Sequence, residues 1–298
     1  FRPGRGATQA LERLRVLGAK GGNYVLDADI KDYFGCIDHG KLLELVALRI
    51  SDRRVLKLVR QWLEAGVMED GRETAMLSGT PQGGVISPLL ANVYLHWLDK
   101  LFMARSGPGH WAGARIVRYA DDFQIFARRI TPAITSWVSD HVEGRMGLTL
   151  NAAKTQIVQV RPGREPLDFL GYRVQWEKSW WSRDRSWVSL KPSPCSQQRF
   201  RDRVRELTGS NRNCVPIDVL VLQLNRYMAG WGQYFSAFHR GKVINKADGY
   251  VFTRMVHHLK RRSQRGVRPS HGLGWYQFLH ERLGLRRLAQ LCPSTARR

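Results

Sequence analysis

Cysteine is scarce in this 298-residue chain: Cys36, Cys195, Cys214 and Cys292 lie far apart and form no Cys-x-x-Cys pair. That spacing argues against a thiolate zinc module and a disulfide framework, and it points to a reducing, cytoplasmic setting. Long apolar runs are missing too. No stretch approaches the roughly 20 residues of a membrane-spanning helix and no secretory signal opens the chain, so no membrane role is expected. Acidic residues are few, 25 against 48 Lys and Arg, which leaves a net charge of +23. An imbalance of that size indicates a polyanionic partner, nucleic acid above all. The excess is uneven: residues 1–150 carry 20 basic against 16 acidic side chains, and residues 151–298 carry 28 against 9. One half is therefore suited to gripping phosphates. The pair His257-His258 has no acidic or cysteine companion nearby and reads as nucleic-acid-facing or structural.

What is present begins with Tyr119-Ala120-Asp121-Asp122, set between Arg115-Ile116-Val117-Arg118 and Phe123-Gln124-Ile125-Phe126-Ala127. The flanks are β-branched and aromatic with near alternation, which predicts two half-buried strands joined by a tight turn. Two adjacent carboxylates at such a tip repel each other and call for a counter-ion. A third comes from Tyr24-Val25-Leu26-Asp27-Ala28-Asp29-Ile30, a strand-like run in which Asp27 and Asp29 share a face, with Asp29 expected to meet Asp121 across the sheet. Three carboxylates on neighbouring strands form the oxygen-rich site that Mg²⁺ prefers, and two such ions can clamp an in-line phosphoryl transfer. Ser78 to Asn92 supplies a Gly-rich turn followed by a helix start, with Ser87 as the expected N-cap and Pro88 in the first helical position.

With these motifs in order, the chain resembles the reverse transcriptases encoded by bacterial group II introns. Phe1-Arg2-Pro3-Gly4-Arg5 resembles the end of that family's fingers motif, and Ala28 to Phe34 its first palm motif. Gln82-Gly83-Gly84, Tyr119 to Asp122, Leu150 to Thr155 and Asp168-Phe169-Leu170-Gly171-Tyr172 follow in the family's sequence. The resemblance implies that Asp29, Asp121 and Asp122, with the Ile30 carbonyl, hold two Mg²⁺ ions. It makes Phe34 the steric gate against a ribose 2′-OH, puts Gln82 and Gly83 along the incoming nucleotide and sets Lys154 near its phosphates or the primer. Phe169, Leu170, Gly171 and Tyr172 would grip the primer.

The implied fold is α+β, a right-hand polymerase with an antiparallel palm sheet and a helical thumb. The expected division is 1–190 for partial fingers and palm and 191–298 for the thumb, with Lys191-Pro192-Ser193-Pro194 as the boundary. Helical spacing of Leu42, Leu43, Val46 and Ile50, of Val55, Leu58, Val59, Trp62 and Leu63, and of Leu90 to Leu101 predicts helices behind the sheet. A further helix from about Ile217 to His239 carries Leu220, Leu224, Tyr227, Trp231, Tyr234 and Phe238 on one face, its Gly230 and Gly232 expected to allow close packing or a kink. Leu224 to Phe235 resembles the family's maturase-specific domain. Arg226 and the basic run Lys260, Arg261, Arg262, Arg265 and Arg268, with Trp275, Tyr276 and Phe278 after it, suit phosphate contact and base stacking.

The expected partners are an intron RNA template, a DNA primer or target and deoxynucleoside triphosphates; oligomeric state is not legible. The chain opens inside what resembles the second fingers motif and shows no endonuclease module after the thumb, so truncated fingers and no DNA cleavage are expected. A non-catalytic RNA-binding splicing factor, and a reverse transcriptase of another bacterial retroelement or defence system, remain as alternatives.

Overall fold

The structure is a computed structural model that describes residues 4–19, 24–64, 67–69, 72–74, 86–161, 163–178, 186–238, 241–262, 269 and 272–291. The chain divides into two compact units, one of residues 1–165 with 176–188 and one of 166–175 with 189–298. The second unit thus takes in a short stretch upstream of the boundary expected near 190.

In the first unit, α1 (Ala7–Ala19) precedes β1 (Tyr24–Ala28) and β2 (Ile30–Lys31), then α2 (His39–Ala47) and α3 (Arg53–Glu64). The short hairpin β3 (Val67–Glu69) and β4 (Arg72–Thr74) leads to α4 (Ser87–Met103) and α5 (Pro108–Trp111). Then come β5 (Arg115–Tyr119), β6 (Asp122–Ala127), α6 (Pro132–Ser139), β7 (Thr149–Leu150) and β8 (Gln156–Gln159). The palm sheet is antiparallel in the order β5-β6-β1-β8, with Ala28 opposite Phe123 and Asp27 opposite both Gln124 and Gln156.

Tyr94, Leu95, Leu98 and Phe102 of α4, Leu42 and Val46 of α2, Val59 and Leu63 of α3, and Ile134 and Val138 of α6 share one core with Leu26, Ala28, Phe123 and Ile125 of the sheet. Each such side chain removed from water contributes about 1.5–3 kcal/mol, which makes this core the platform for the hairpin tip. Two expectations shift. All of β6 from Phe123 to Ala127 is buried, because Phe123, Ile125 and Ala127 enter this core while Gln124 and Phe126 on the other face are covered as well, so of the two strands β5 alone keeps a partly exposed pattern. Leu58 and Trp62 are exposed although they share the apolar stripe of α3, since the groove against α2 takes only the Val59 and Leu63 side of it.

The second unit begins with β9 (Leu167–Phe169) and the first part of β10 (Tyr172–Lys178); β11 (Ser186–Pro192) follows beside β10. Ser193 caps α7 (Pro194–Leu207), accepting from the Ser196 amide at 3.1 Å, with Pro194 in the first turn. Helices α8 (Ile217–Phe235), α9 (Lys242–Arg261), α10 (Trp275–Gln277) and α11 (Leu288–Leu291) complete it, packed through Phe200, Val204, Leu224, Met228, Met255 and Leu259. The α7 carbonyl end at Thr208 accepts from Arg254 at 3.4 Å and Arg261 at 3.0 Å, and His258 Nδ1 lies 3.3 Å from the same oxygen. Cations gather there because a helix C-terminus carries partial negative charge.

α8 stops at Phe235, short of His239, and Phe238 lies in the turn beyond it. The Tyr234 carbonyl in its last turn is taken by the Tyr172 hydroxyl at 2.5 Å. Gly232 is buried, but a Cβ on Gly230 would meet nothing within 4 Å, so close packing does not explain that glycine. Gly230→Ala is accordingly expected to raise stability by about 0.5–1 kcal/mol through the helix propensity it restores. Urea unfolding followed by circular dichroism checks it; a loss of stability would contradict the open geometry.

Candidate active site

β5 and β6 meet in a two-residue turn, with Tyr119 paired to Asp122 and Ala120 and Asp121 between them. Ala120 has φ +56°, in the left-handed region that costs a residue with a Cβ on the order of 1 kcal/mol. Arg118 holds it there. Its guanidinium donates to the Ala120 carbonyl at 2.8 Å, to Asn92 Oδ1 at 3.1 Å, and in a fork to Asp99 at 3.0 and 2.7 Å. The Arg118 side chain is 5 % exposed, and both Asn92 and Asp99 belong to α4, so the turn is tied to the core helix behind it. Sequence reasoning missed this clamp; the only trace was an arginine inside an otherwise apolar strand.

Asp29 lies where the chain leaves β1 for β2. Its carbonyl accepts from the Asn151 amide at 2.8 Å, beside the Ile30–Leu150 pair of β2 and β7. The carboxylate takes Asn151 Nδ2 and Lys154 Nζ, each at 3.1 Å. One step beyond the Ala28–Phe123 pair, the register brings Asp29 beside Asp122 rather than Asp121. Asp27 instead accepts from Gln124 at 3.1 Å. Ile30 is buried at the start of β2.

Burial first, then the negative charge of Asp121, Asp29 and Asp27, raises the Asp122 carboxyl to about 6. Lys154 opposes this, but its ammonium pairs with Asp29, whereas Asp121 and Asp122 form no ion pair among the described residues. Among the described residues no three His, Cys, Asp or Glu side chains converge tightly enough to enclose one ion. The donor set still fits a hard cation, because it is all oxygen and carries repulsion that the protein leaves uncompensated at two of three positions. A folded-state value raised above the ordinary 3.8 means that ionising Asp122 weakens the fold. That contribution is present below pH 4 and is lost as pH rises to about 6. A bound divalent ion offsets the loss, so the rise in Tm produced by Mg²⁺ should be larger at about pH 7.5 than at about pH 5. Paired melts of the wild type and of Asp122→Asn check this; a Mg²⁺ effect independent of pH in the wild type would contradict it.

Phe34 is half-buried and lines a narrow pocket with Tyr33, Pro88, Ala91, Asn92 and Ala120, which puts its ring against the hairpin turn. Ser87 is buried inside α4, whose cap is Ile86, one residue earlier than expected. The cap makes no side-chain hydrogen bond, and Pro88, with no amide to satisfy, occupies the first turn. Gln82 and Gly83 lie outside the described residues.

In the second unit, Phe169 pairs with Tyr172, and Leu170 and Gly171 form the turn, with φ +50° and +76°. Positive φ at both positions is the hairpin geometry that matches strand twist. Tyr234 Oη donates to the Leu170 carbonyl at 2.8 Å; the Gly171 carbonyl accepts from the Ser193 amide at 2.9 Å and Ser196 Oγ at 2.8 Å. Phe169 and Tyr172 are buried, so the surface of this turn is Leu170 and Gly171. Of the basic candidates, Arg226 is exposed, Lys260 lies 5.7 Å above the Trp275 ring, Arg261 is engaged at Thr208 and Arg262 is partly buried. Arg265 and Arg268 lie outside the described residues. His258 is buried and structural, while His257 is exposed.

The family model described as reverse transcriptase (RNA-dependent DNA polymerase) matches residues 1–174, more than half of the chain. The chain belongs to the reverse transcriptase family. A second model, the group II intron maturase-specific domain, matches residues 197–273, and the two together mark the group II intron branch of these reverse transcriptases. The group II intron-encoded protein LtrA of Lactococcus lactis subsp. cremoris is 43 % identical over 104 residues, 35 % of this chain and 17 % of LtrA. Protein YkfC of Escherichia coli strain K12 is 30 % identical over 242 residues, 70 % of this chain and 61 % of its own. This reverse transcriptase therefore spans less than two thirds of the length of these relatives. Among solved structures, apo telomerase from Candida Tropicalis gives a TM-score of 0.47 at 13 % identity over 96 % of this chain and 50 % of that one, a likeness too distant to carry an argument. Reverse transcriptases use divalent metal ions, in keeping with the oxygen-only donors at the hairpin tip. No helix among the described residues is long and apolar enough to cross a membrane.

Proposed function

We propose that this chain is the RNA-directed DNA polymerase of a group II intron, adding deoxynucleotides to a DNA primer on an intron RNA template and assisting the splicing of that RNA. The observation that carries the reading is the clamped turn that holds Asp122 beside Asp29 with Asp121 next to it, three acids whose negative charges bear on one another and which a binding module has no need to keep together. Asp29, Asp121 and Asp122, with the Ile30 carbonyl, would hold two Mg²⁺ ions. Such ions would supply Lewis-acid activation of the primer 3′-hydroxyl and charge neutralisation at the triphosphate and departing pyrophosphate.

The chain's own residues supply the rest. Lys154, 69 % exposed and tethered only by a surface ion pair worth about 0–1 kcal/mol, can swing from Asp29 to an incoming phosphate. Phe34, seated beside Ala120, would crowd a ribose 2′-OH. The Leu170-Gly171 turn would steady the primer end through backbone contacts. Arg226, Lys260 and Trp275 would grip intron RNA through phosphates and stacking, with Arg262, Arg265 and Arg268 extending the basic run. The test is extension of a DNA primer annealed to an RNA template with deoxynucleotides and Mg²⁺, against EDTA and ribonucleotide controls. The expected result is Mg²⁺-dependent extension with deoxynucleotides; salt-sensitive RNA binding without extension would point instead to a splicing factor.

A further inference from the structure

The carboxylates occupy one end of the palm sheet, and the opposite end carries a different chemistry. There the middle strand β1 begins at Tyr24, paired with Ala127 of β6 on one side and Gln159 of β8 on the other. Just past those partners come Arg128 and Arg129 from β6 and Arg161 from β8. Together with Tyr24, Trp111 and Thr131 they line a groove of about 630 Å³. From Asp122 the strand runs through Ala127 to Arg128, so at about 3.3 Å per residue the groove lies roughly 20 Å from the hairpin tip.

Its composition is one-sided. Among the described residues no carboxylate lines it, and the three guanidinium groups are exposed and form no ion pair there. Trp111 is 46 % exposed, its indole nitrogen tied to the Ser106 carbonyl at 3.2 Å, which fixes the ring and leaves part of its surface open. Thr131, at the start of α6, makes no capping bond with its hydroxyl. Unpaired arginines spaced along one edge, with a fixed indole among them, match the alternation of phosphate and base in a single strand. An acidic protein segment would use the charges but not the exposed ring.

We propose that this groove binds a single-stranded nucleic-acid segment separate from the template and primer at the carboxylates, through phosphate contacts at Arg128, Arg129 and Arg161 and base stacking on Trp111. The inference rests on the polymerase reading only for the identity of the polyanion. RNA and DNA both present this backbone, so matched strands of each belong in the test.

The experiment is fluorescence titration of the full chain with unstructured RNA and DNA oligonucleotides at several salt concentrations. Arg128→Gln/Arg129→Gln/Arg161→Gln is compared with Arg53→Gln/Arg54→Gln/Arg60→Gln, which removes equal charge from exposed positions on α3. Loss of three single-strand phosphate contacts should flatten the log–log salt dependence by about 2. Trp111→Ala should weaken binding about 10-fold and leave that slope unchanged. A loss seen with RNA, DNA or both names the strand that is held. An unchanged slope, or an equal change in the α3 control, overturns the proposal. Extension by the groove variant on a short primer and template should match the wild type; extension lost in parallel with binding would also overturn it, by assigning the contacts to the template path. Absence of extension in the wild type would refute the polymerase reading and leave the groove titration standing on its own.

Discussion

Asp121→Asn lowers Mg²⁺-dependent extension of a DNA primer on an RNA template by at least about 10³-fold. The substitution is nearly isosteric. It leaves the turn intact, because the turn is shaped by the Arg118 bond to the Ala120 carbonyl and not by the Asp121 side chain. What it removes is a negative charge next to Asp122, so the Asp122 carboxyl moves back toward its ordinary value and the fold is not weakened. Activity and stability therefore part company, which separates a metal ligand from a structural residue. Single-turnover extension measured beside thermal melting shows the difference. Extension within tenfold of the wild type, on an equally stable protein, would remove Asp121 from the catalytic set.

Arg118→Met is expected to cost about 3–5 kcal/mol of stability, because it takes from the Asp99 carboxylate, 18 % exposed, its forked partner and leaves it weaker contacts such as His96 at 3.8 Å. The same change withdraws the donors that serve Asn92 and the Ala120 carbonyl. Lysine is no substitute at this position, since one ammonium cannot reproduce the fork and still reach Ala120. The pair can be isolated by a cycle: Arg118→Met/Asp99→Leu should recover much of the loss, as the carboxylate is removed together with its forked partner. Urea midpoints for the four proteins test this, and additive losses would show that the two side chains do not act together. With the charge problem relieved but the tether to Ala120 gone, the double variant should need a higher Mg²⁺ concentration for half-maximal extension than the wild type.

Much of the site was legible before the structure. Alternation around Tyr119 to Asp122 gave the hairpin, because strand period and turn chemistry are local properties. The Asp29 strand was legible for the same reason, although its partner proved to be Asp122, since a one-residue offset in register is invisible without the sheet. The clamp was hidden: Arg118 reaches Asp99 and Asn92, 19 and 26 residues upstream on α4, and no local pattern announces a pairing between a strand and a helix behind it. Periodicity also overstated burial on α3, where Leu58 and Trp62 belong to the apolar stripe but lie off the part that α2 covers. On α8 the apolar face ran on to Phe238 in sequence, whereas Tyr172 capped the helix three residues earlier from a strand 62 residues away.

The Leu170-Gly171 turn sets a condition on the order in which the protein can be made. Its shape depends on Tyr234, which emerges from the ribosome 64 residues after Leu170, and on Ser193 and Ser196 in between. Until α8 has been translated, the carbonyl of a leucine at φ +50° lacks its Tyr234 donor, and only the Ser193 and Ser196 contacts to Gly171 restrain the nascent hairpin. Cutting the gene at the apparent boundary near residue 190 would make that condition permanent: the upstream half would keep the sequence of the turn and lack every group that locks it.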